Sequence, residues 1–211
     1  MKPTDFSIYL TKFLSDYLPG QKNVSANTIC SYRDTFKILL RYFQEREGMP
    51  PEKIKMSHIT QVCVTSFLDW RETGRITRNL RLTAIHSFFR YAQAESPESL
   101  FHFQKVIAIP VKKGRKKAVE HLTPEGVRLL LKQPDRSCPK GRRDLAMLST
   151  MYDSGARVQE LIDLSVGDFI SGANAVLVLT GKGNKTRRVP LMKNTASLLD
   201  LHFREPSGFA A

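Results

Sequence analysis

The sequence has 211 residues, 41% of them hydrophobic, and 33 Lys plus Arg against 20 Asp plus Glu give a formal net charge of +13. That length allows two small domains or one large one with a packed core, and the charge points to nucleic acid or another anionic surface as partner. No apolar run approaches the roughly 18 residues that span a bilayer, the N-terminus lacks the apolar region of a signal peptide, and Cys30, Cys63 and Cys138 have neither disulfide nor metal-ligand spacing.

A cytoplasmic protein with buried or partly buried thiols, no metal and no membrane contact fits this composition. The first hundred residues read as helices. Phe6, Tyr9, Leu10, Phe13, Leu14 and Tyr17 recur at three- and four-residue steps, an amphipathic helix expected to end before Pro19-Gly20. Ser25 is placed to cap a second helix whose stripe is Ile29, Tyr32, Phe36, Leu39, Leu40 and Phe43. After Pro50-Pro51, Ser57 is the expected cap of a third helix, "HITQVCVTSFLDWRET", stopped by Gly74. "ITRNLRLTAIHSFFRYAQAE" is the fourth, with Leu80, Ile85, Phe88, Phe89 and Ala92 on its apolar face. Four helices with short connections make a compact all-α unit over residues 1–100.

The polar faces of these helices carry Arg33, Lys37, Arg71, Arg75, Arg78, Arg81 and Arg90, interleaved with Thr28, Ser31, Thr77, Asn79 and Ser87. Such donors are what phosphate oxygens and base edges accept from, and "ITRNLRLTAIHSFFR" contains no acid to pair them. Arg78 and Arg81 are spaced to share a face. Residues 101–119 then hold six basic side chains and no acidic one, a net +6, against +4 before them and +3 after. With Lys112, Lys113, Arg115, Lys116 and Lys117, this segment reads as a basic interdomain linker that contacts duplex DNA, or as a solvated charge run.

The style changes after the linker, over residues 120–211. Thr123-Pro124-Glu125 is a helix start with cap, proline and early acid. "PKGRRDLAMLSTMYDSG" is a second helix stopped by Gly155, with Tyr152 expected in apolar packing, and "ARVQELIDLSVGDF" reads as a third. "NAVLVLT" and "TRRVPL" are strand-like runs around "GKGNK", a β-hairpin whose tip spans Gly181 to Lys185, with Gly183-Asn184 supplying positive φ. The Gly-rich tip is not a nucleotide-binding loop, which needs G-x-x-x-x-G-K-[ST] ahead of a helix. "NTASLLDLHFRE" closes the chain as a helix with Asn194 as cap.

Two features can carry chemistry. Arg157 stands at the first turn of a helix with Glu160 three residues on, so the carboxylate can hold the guanidinium rigid for two oxygens of one phosphate, or the two form a plain surface pair. Lys182 at the hairpin tip is a mobile ammonium that can swing over a bound phosphate, or belong to a solvated turn.

In order and at this interval, "SGARVQELIDLSVGDF" and "LTGKGNKTRRVPL" resemble the first arginine box and the lysine hairpin of the tyrosine recombinases, the phage-integrase and Xer-like family of site-specific DNA recombinases. The resemblance covers nearly the whole chain. It implies two domains: an all-α, SAM-like core-binding domain, then a truncated α+β catalytic domain with a small antiparallel sheet. It also implies that Arg157 neutralises the non-bridging oxygens of the scissile phosphate. Lys182 would protonate the departing 5′ oxygen, and Glu160 would buttress the arginine. The family's reaction passes through a 3′-phosphotyrosine on double-stranded DNA within a tetramer on paired sites, and needs neither cofactor nor metal.

The family pattern also requires a His-x-x-Arg box, a further His or Trp and a nucleophilic tyrosine after the lysine hairpin. The six tyrosines here are at 9, 17, 32, 42, 91 and 152, all before Arg157, and His202 and Arg204 have the wrong spacing. A chain shortened as a gene fragment, by frameshift or by design is expected. Two functions follow: a recombinase whose given residues do not cleave alone, or a catalytically dead DNA-binding protein that occupies recombination sites.

Overall fold

The structure, a computed structural model, describes residues 2–70, 74–114 and 120–204, arranged as two compact units, Met1–Lys116 and Lys117–Ala211. The first is all helical: α1 Asp5–Lys12, α2 Ala26–Arg46, α3 Gln61–Trp70, α4 Arg75–Glu95 and α5 Leu100–Ile107. Local chemistry sets several of these ends. The Thr4 hydroxyl accepts from the Ser7 N–H, and Ser25 caps α2 as expected by accepting from the Thr28 N–H.

The first helix does not stop before Pro19. A π-helical stretch, Phe13–Gln21, carries the chain through it, with the Lys22 N–H bonded to the Tyr17 carbonyl at 2.9 Å. Proline cannot donate and its ring collides with the carbonyl four residues back; the wider π turn accommodates the ring without ending the helix. Phe13 and Leu18 are thereby fully buried. Ser57 does not cap the third helix: it lies in a short 3-10 turn, Met56–His58, and the Thr60 hydroxyl accepts from the Cys63 N–H instead.

The core of this unit is aromatic. Phe88 meets Phe6, Phe13, Phe36 and Phe89 at ring-centroid distances of 5.1 to 5.8 Å, and Phe13 also stacks on Tyr17 and Tyr32. Ile85, Phe88, Phe89 and Ala92 line the inner face of α4 as read from the sequence, but Leu80 is 57% exposed and Leu82 takes the interior position. The register of α4 at its first half follows Leu82 and Ile85, which places Leu80 on the outer side. Cys30, expected to be at least partly buried, is exposed, whereas Cys63 and Cys138 are half-buried.

The segment read as a linker from residue 101 begins as a helix instead. Phe103 and Val106 of α5, and Ile109 just after it, are buried in the same core. Three apolar residues at three-residue steps carry this short helix, a period hidden among its basic neighbours. Only from Pro110 does the chain extend.

The second unit is α+β. It contains α6 Pro124–Leu131, α7 Pro139–Ser154, α8 Val158–Ile162 and α9 Lys193–Arg204, with strands β1 Phe169–Ile170, β2 Val176–Gly181 and β3 Lys185–Pro190. The sheet is antiparallel in the order β1-β2-β3. Thr123 caps α6 and Gly155, at φ 60°, ends α7, both as expected. The third predicted helix is much shorter than its periodicity: five residues are α-helical, Val166–Asp168 form a short 3-10 turn, and Asp168 turns the chain by accepting from Ser165 N–H and Oγ before β1. Helix α9 begins at Lys193, so Asn194 lies inside its first turn and not at the cap.

Leu177 and Leu179 of β2 pack with Ala156, while Leu145, Ala146 and Leu199 are buried on α7 and α9. Tyr152 is exposed, not packed. Among the described residues no helix is long and apolar enough to cross a membrane, and no cluster of three or more His, Cys, Asp or Glu could hold a metal ion.

Candidate functional site

The site is built where α8 meets the hairpin of β2 and β3, within the second unit. Gly155 in its left-handed conformation turns the chain out of α7, and Arg157 follows as the residue that caps α8. Glu160, one turn on, accepts from the Arg157 N–H at 2.9 Å and from Arg157 Nη1 at 2.7 Å. One carboxylate therefore fixes both the backbone and the side chain of the arginine. Glu160 is buried, whereas the Arg157 side chain is 72% exposed, so most of its guanidinium faces outward.

The hairpin completes the arrangement from the other side. Gly181 and Lys185 close the ladder, and Gly183 and Asn184 adopt φ of 77° and 57° at the tip, as the sequence required. The backbone of Gly181 comes so close that a Cβ there would lie 2.6 Å from Glu160 Oε1 and 3.6 Å from Arg157 Nη1. Glycine is needed here for close approach rather than for φ. The next residue is Lys182, exposed at the tip.

A third cation was not singled out in the sequence. Arg187 of β3 donates from Nη1 to Glu160 Oε1 at 3.0 Å and from Nη2 to Oε2 at 2.7 Å. Its Nη2 also reaches the Gly155 carbonyl at 3.5 Å. The signal was present: Arg187 pairs with Leu179, and Val189 with Leu177, so all four share the inner face of the hairpin. An arginine two residues before an inward valine also points inward.

Glu160 answers to this environment. Its carboxyl is lowered from 4.5 to about 2, first by the hydrogen bonds from Arg187 and then by the Arg157 N–H, with burial opposing and the Arg157 side chain adding to the lowering. A carboxylate lowered on folding contributes stability above its unfolded value and loses it as pH falls through the folded one. The melting temperature of the second unit is therefore expected to fall between pH about 4.5 and about 2. In Glu160→Gln that part of the pH dependence should vanish; identical profiles for the two proteins would rule the linkage out.

The remaining candidates lie in the first unit. Arg33 and Lys37 are exposed on α2, Arg33 donating to Cys30 Sγ and Lys37 standing 3.5 Å from Asp34. Arg75 and Arg90 are exposed and Arg81 is half-buried on α4. Arg78 is a correction: only 7% exposed, it lies in the interior with Nε 3.8 Å from Asp69. Asn79 is not open either. Its Nδ2 donates to the Lys112 carbonyl at 2.9 Å while its Oδ1 accepts from the Lys112 N–H at 3.1 Å. The Lys112 ammonium is 3.4 Å from Asp69, and the Arg75 guanidinium occupies the space that a side chain at Gly114 would take. Lys113 is exposed. Arg71, Arg115, Lys116 and Lys117 lie outside the described residues.

Two family models match the chain: "Phage integrase, N-terminal SAM-like domain" over residues 10–96 and "Phage integrase family" over residues 120–203. The second contains Arg157, Glu160, Lys182 and Arg187. A protein of Sinorhizobium fredii named as integrase/recombinase y4rD is 31% identical over 195 residues, which cover 90% of this chain and 69% of y4rD. The chain belongs to the phage integrase family.

Within that family, y4rC of the same organism, also named as an integrase/recombinase, is 41% identical over 93% of this chain. Tyrosine recombinase XerD of Listeria monocytogenes is 28% identical over 90% of it. The chain spans 60% of the length of y4rC and 62% of that of XerD. Two solved phage-integrase-family structures share the fold at 20% identity and a TM-score of 0.64. One is the XerH site-specific recombinase bound to a palindromic difH substrate, where the likeness covers 86% of this chain and 53% of XerH. The other is a lambda integrase tetramer bound to a Holliday junction, with 93% and 55% covered. The all-helical first unit and the second unit with its three-stranded antiparallel sheet match the two domains that the boxes implied.

Proposed function

We propose that this chain performs the DNA-holding and phosphate-activating part of site-specific recombination. The observation that carries this is the Arg157 guanidinium, pinned by Glu160 with its outer side open, beside the hairpin that bears Lys182. Arg157 binds non-bridging oxygens of a backbone phosphate and stabilises the charge that builds on them in the pentacovalent transition state. Lys182 donates a proton to the leaving 5′ oxygen. The first unit, with exposed Arg33, Lys37, Arg75, Arg90 and Lys113, contacts the duplex backbone. Relatives named as recombinases, and structural neighbours described as bound to difH or to a Holliday junction, support duplex DNA as the partner.

The second reading has its own observation. None of the six tyrosines follows Arg157, and the last, Tyr152, projects from the final turn of α7. In the family's chemistry the tyrosine oxygen displaces the 5′ oxygen and forms the phosphotyrosine ester. Without such a group the 211 residues bind and polarise the phosphate but form no bond to it.

The test uses duplexes selected from a random-sequence pool for binding to the chain, nicked at each position in turn. No detergent-stable protein–DNA adduct is expected. Adding a separate segment that carries a His-x-x-Arg box and a tyrosine from a family member should produce one, and Arg157→Ala or Lys182→Ala should slow it by about 100-fold or more. An adduct with the 211-residue chain alone would overturn the second reading, and Tyr152→Phe would show whether Tyr152 is the nucleophile. An adduct insensitive to both Arg157 and Lys182 would overturn the first.

A further inference from the structure

We infer that Arg187 is a positioning residue of the phosphate site, acting through Glu160 to hold Arg157 in place and to leave it a net positive charge. This rests on the reading above that Arg157 receives a phosphate. An isolated Arg157–Glu160 pair at 2.7 Å is neutral and has little reason to attract an anion. Arg187 places a second guanidinium on the same carboxylate, through both oxygens, so the triad of Arg157, Glu160 and Arg187 carries +1. Arg187 is also less exposed than Arg157 (39% against 72% of the side chain), so the open cation is Arg157.

Glu160 accepts four hydrogen bonds, two on each oxygen, which leaves the carboxylate no rotational freedom. Two of the four come from the hairpin strand β3 and two from Arg157 at the start of α8. The carboxylate is thus a shared anchor: it ties the Arg157 backbone and guanidinium to the strand that follows the lysine tip. Gly181 enters the same anchor from β2, with no room for a methyl group against Oε1. Arg157 and the hairpin keep one relative placement through Arg187, and supports of this kind are what hold a charged site to productive geometry. The fork of a guanidinium can span both carboxylate oxygens; an ammonium cannot.

The test is a titration of the whole 211-residue chain with inorganic phosphate, followed by the amide signal of Gly183. The wild type is expected to shift saturably and Arg157→Ala to flatten the response. Arg187→Gln should weaken the apparent affinity by about tenfold, and Arg187→Lys by less, because one charged bond is restored. The carboxyl carbon of Glu160 supplies an independent readout: ionised down to about pH 2 in the wild type, it should titrate well above that in Arg187→Gln.

Should Arg187→Gln fail to fold, Arg187→Lys and Gly181→Ala, which crowds Oε1 from the other strand, are read by the same two signals. Phosphate affinity unchanged in the Arg187 variants while Arg157→Ala loses it, or an unaltered Glu160 titration, would overturn the inference. If Arg157→Ala itself leaves the phosphate response intact, the phosphate reading of Arg157 fails instead, and the Glu160 titration still decides whether Arg187 is the anchor.

Discussion

Affinity for mixed-sequence duplex DNA is expected to fall by about a thousandfold between 50 and 200 mM salt, the loss that release of counterions from about six phosphate contacts produces. The net charge of +13 and the exposed cations of the first unit motivate the figure. The measurement is a binding isotherm at four or five salt concentrations, plotted as logarithms; a flat line would sink DNA binding by this chain. The structure sharpens the mutational part. Lys112 and Lys113 are both exposed, but the Lys112 ammonium stands 3.4 Å from Asp69. Lys113→Gln should lower the slope by about one contact, near 0.9, and Lys112→Gln by clearly less. Equal effects would mean that DNA displaces the Asp69 pairing. Losses from neutralising Lys112, Lys113, Arg115, Lys116 and Lys117 together should be alike for all sequences, since phosphate contacts carry no base information.

Phe88→Ala is expected to cost about 3–5 kcal/mol, the range for truncating a buried aromatic to alanine. Phe88 is fully buried and touches four other phenylalanine rings, three of them from α1, the π-helical stretch and α2. Removing it opens a cavity at the point where those segments meet, so little can collapse into the space. Against a usual domain stability of about 5–15 kcal/mol, the loss brings the helical unit near its unfolding threshold. In urea its transition should move down by more than about 1 M, for a slope of about 1–3 kcal/mol per molar. Leu80→Ala is the control. The sequence periodicity puts Leu80 on the same face as Phe88, but it is 57% exposed and should change stability by no more than about 0.5 kcal/mol. A comparable shift for the two would contradict the observed packing.

Legibility in the sequence followed how local the cause was. Caps at Ser25 and Thr123, the glycine stop at Gly155 and the positive φ at Gly183-Asn184 depend on neighbours within four residues, and each was readable. The Arg157–Glu160 pair was visible for the same reason. Arg187 was not, because its partner lies 27 residues away and only the register of β3 brings them together. Helix lengths were misread where a tertiary requirement overrode a local stop. Pro19 was overruled by the need to bury Phe13 and Leu18, and the period of "VQELIDLSV" continues past the point where Asp168 turns the chain toward β1. Residues 101–109 are masked by the basic run that follows them from Lys112, while Phe103, Val106 and Ile109 set their structure. Arg78 and Asn79 were read as outward donors by residue type; the structure turns one inward and commits the other to the Lys112 peptide.

That commitment of Asn79 bears on redesign. An asparagine on a basic helix is a natural choice for randomisation by anyone seeking a new target sequence, since its amide can read adenine. Here both ends of that amide are already spent on the backbone N–H and carbonyl of Lys112. A library at position 79 would mostly return proteins whose extended segment after Pro110 has lost its tie to α4, and selection would score that loss as weak binding. Arg33 and Lys37, exposed on α2 with only exposed partners to give up, are the positions where diversity costs the scaffold least.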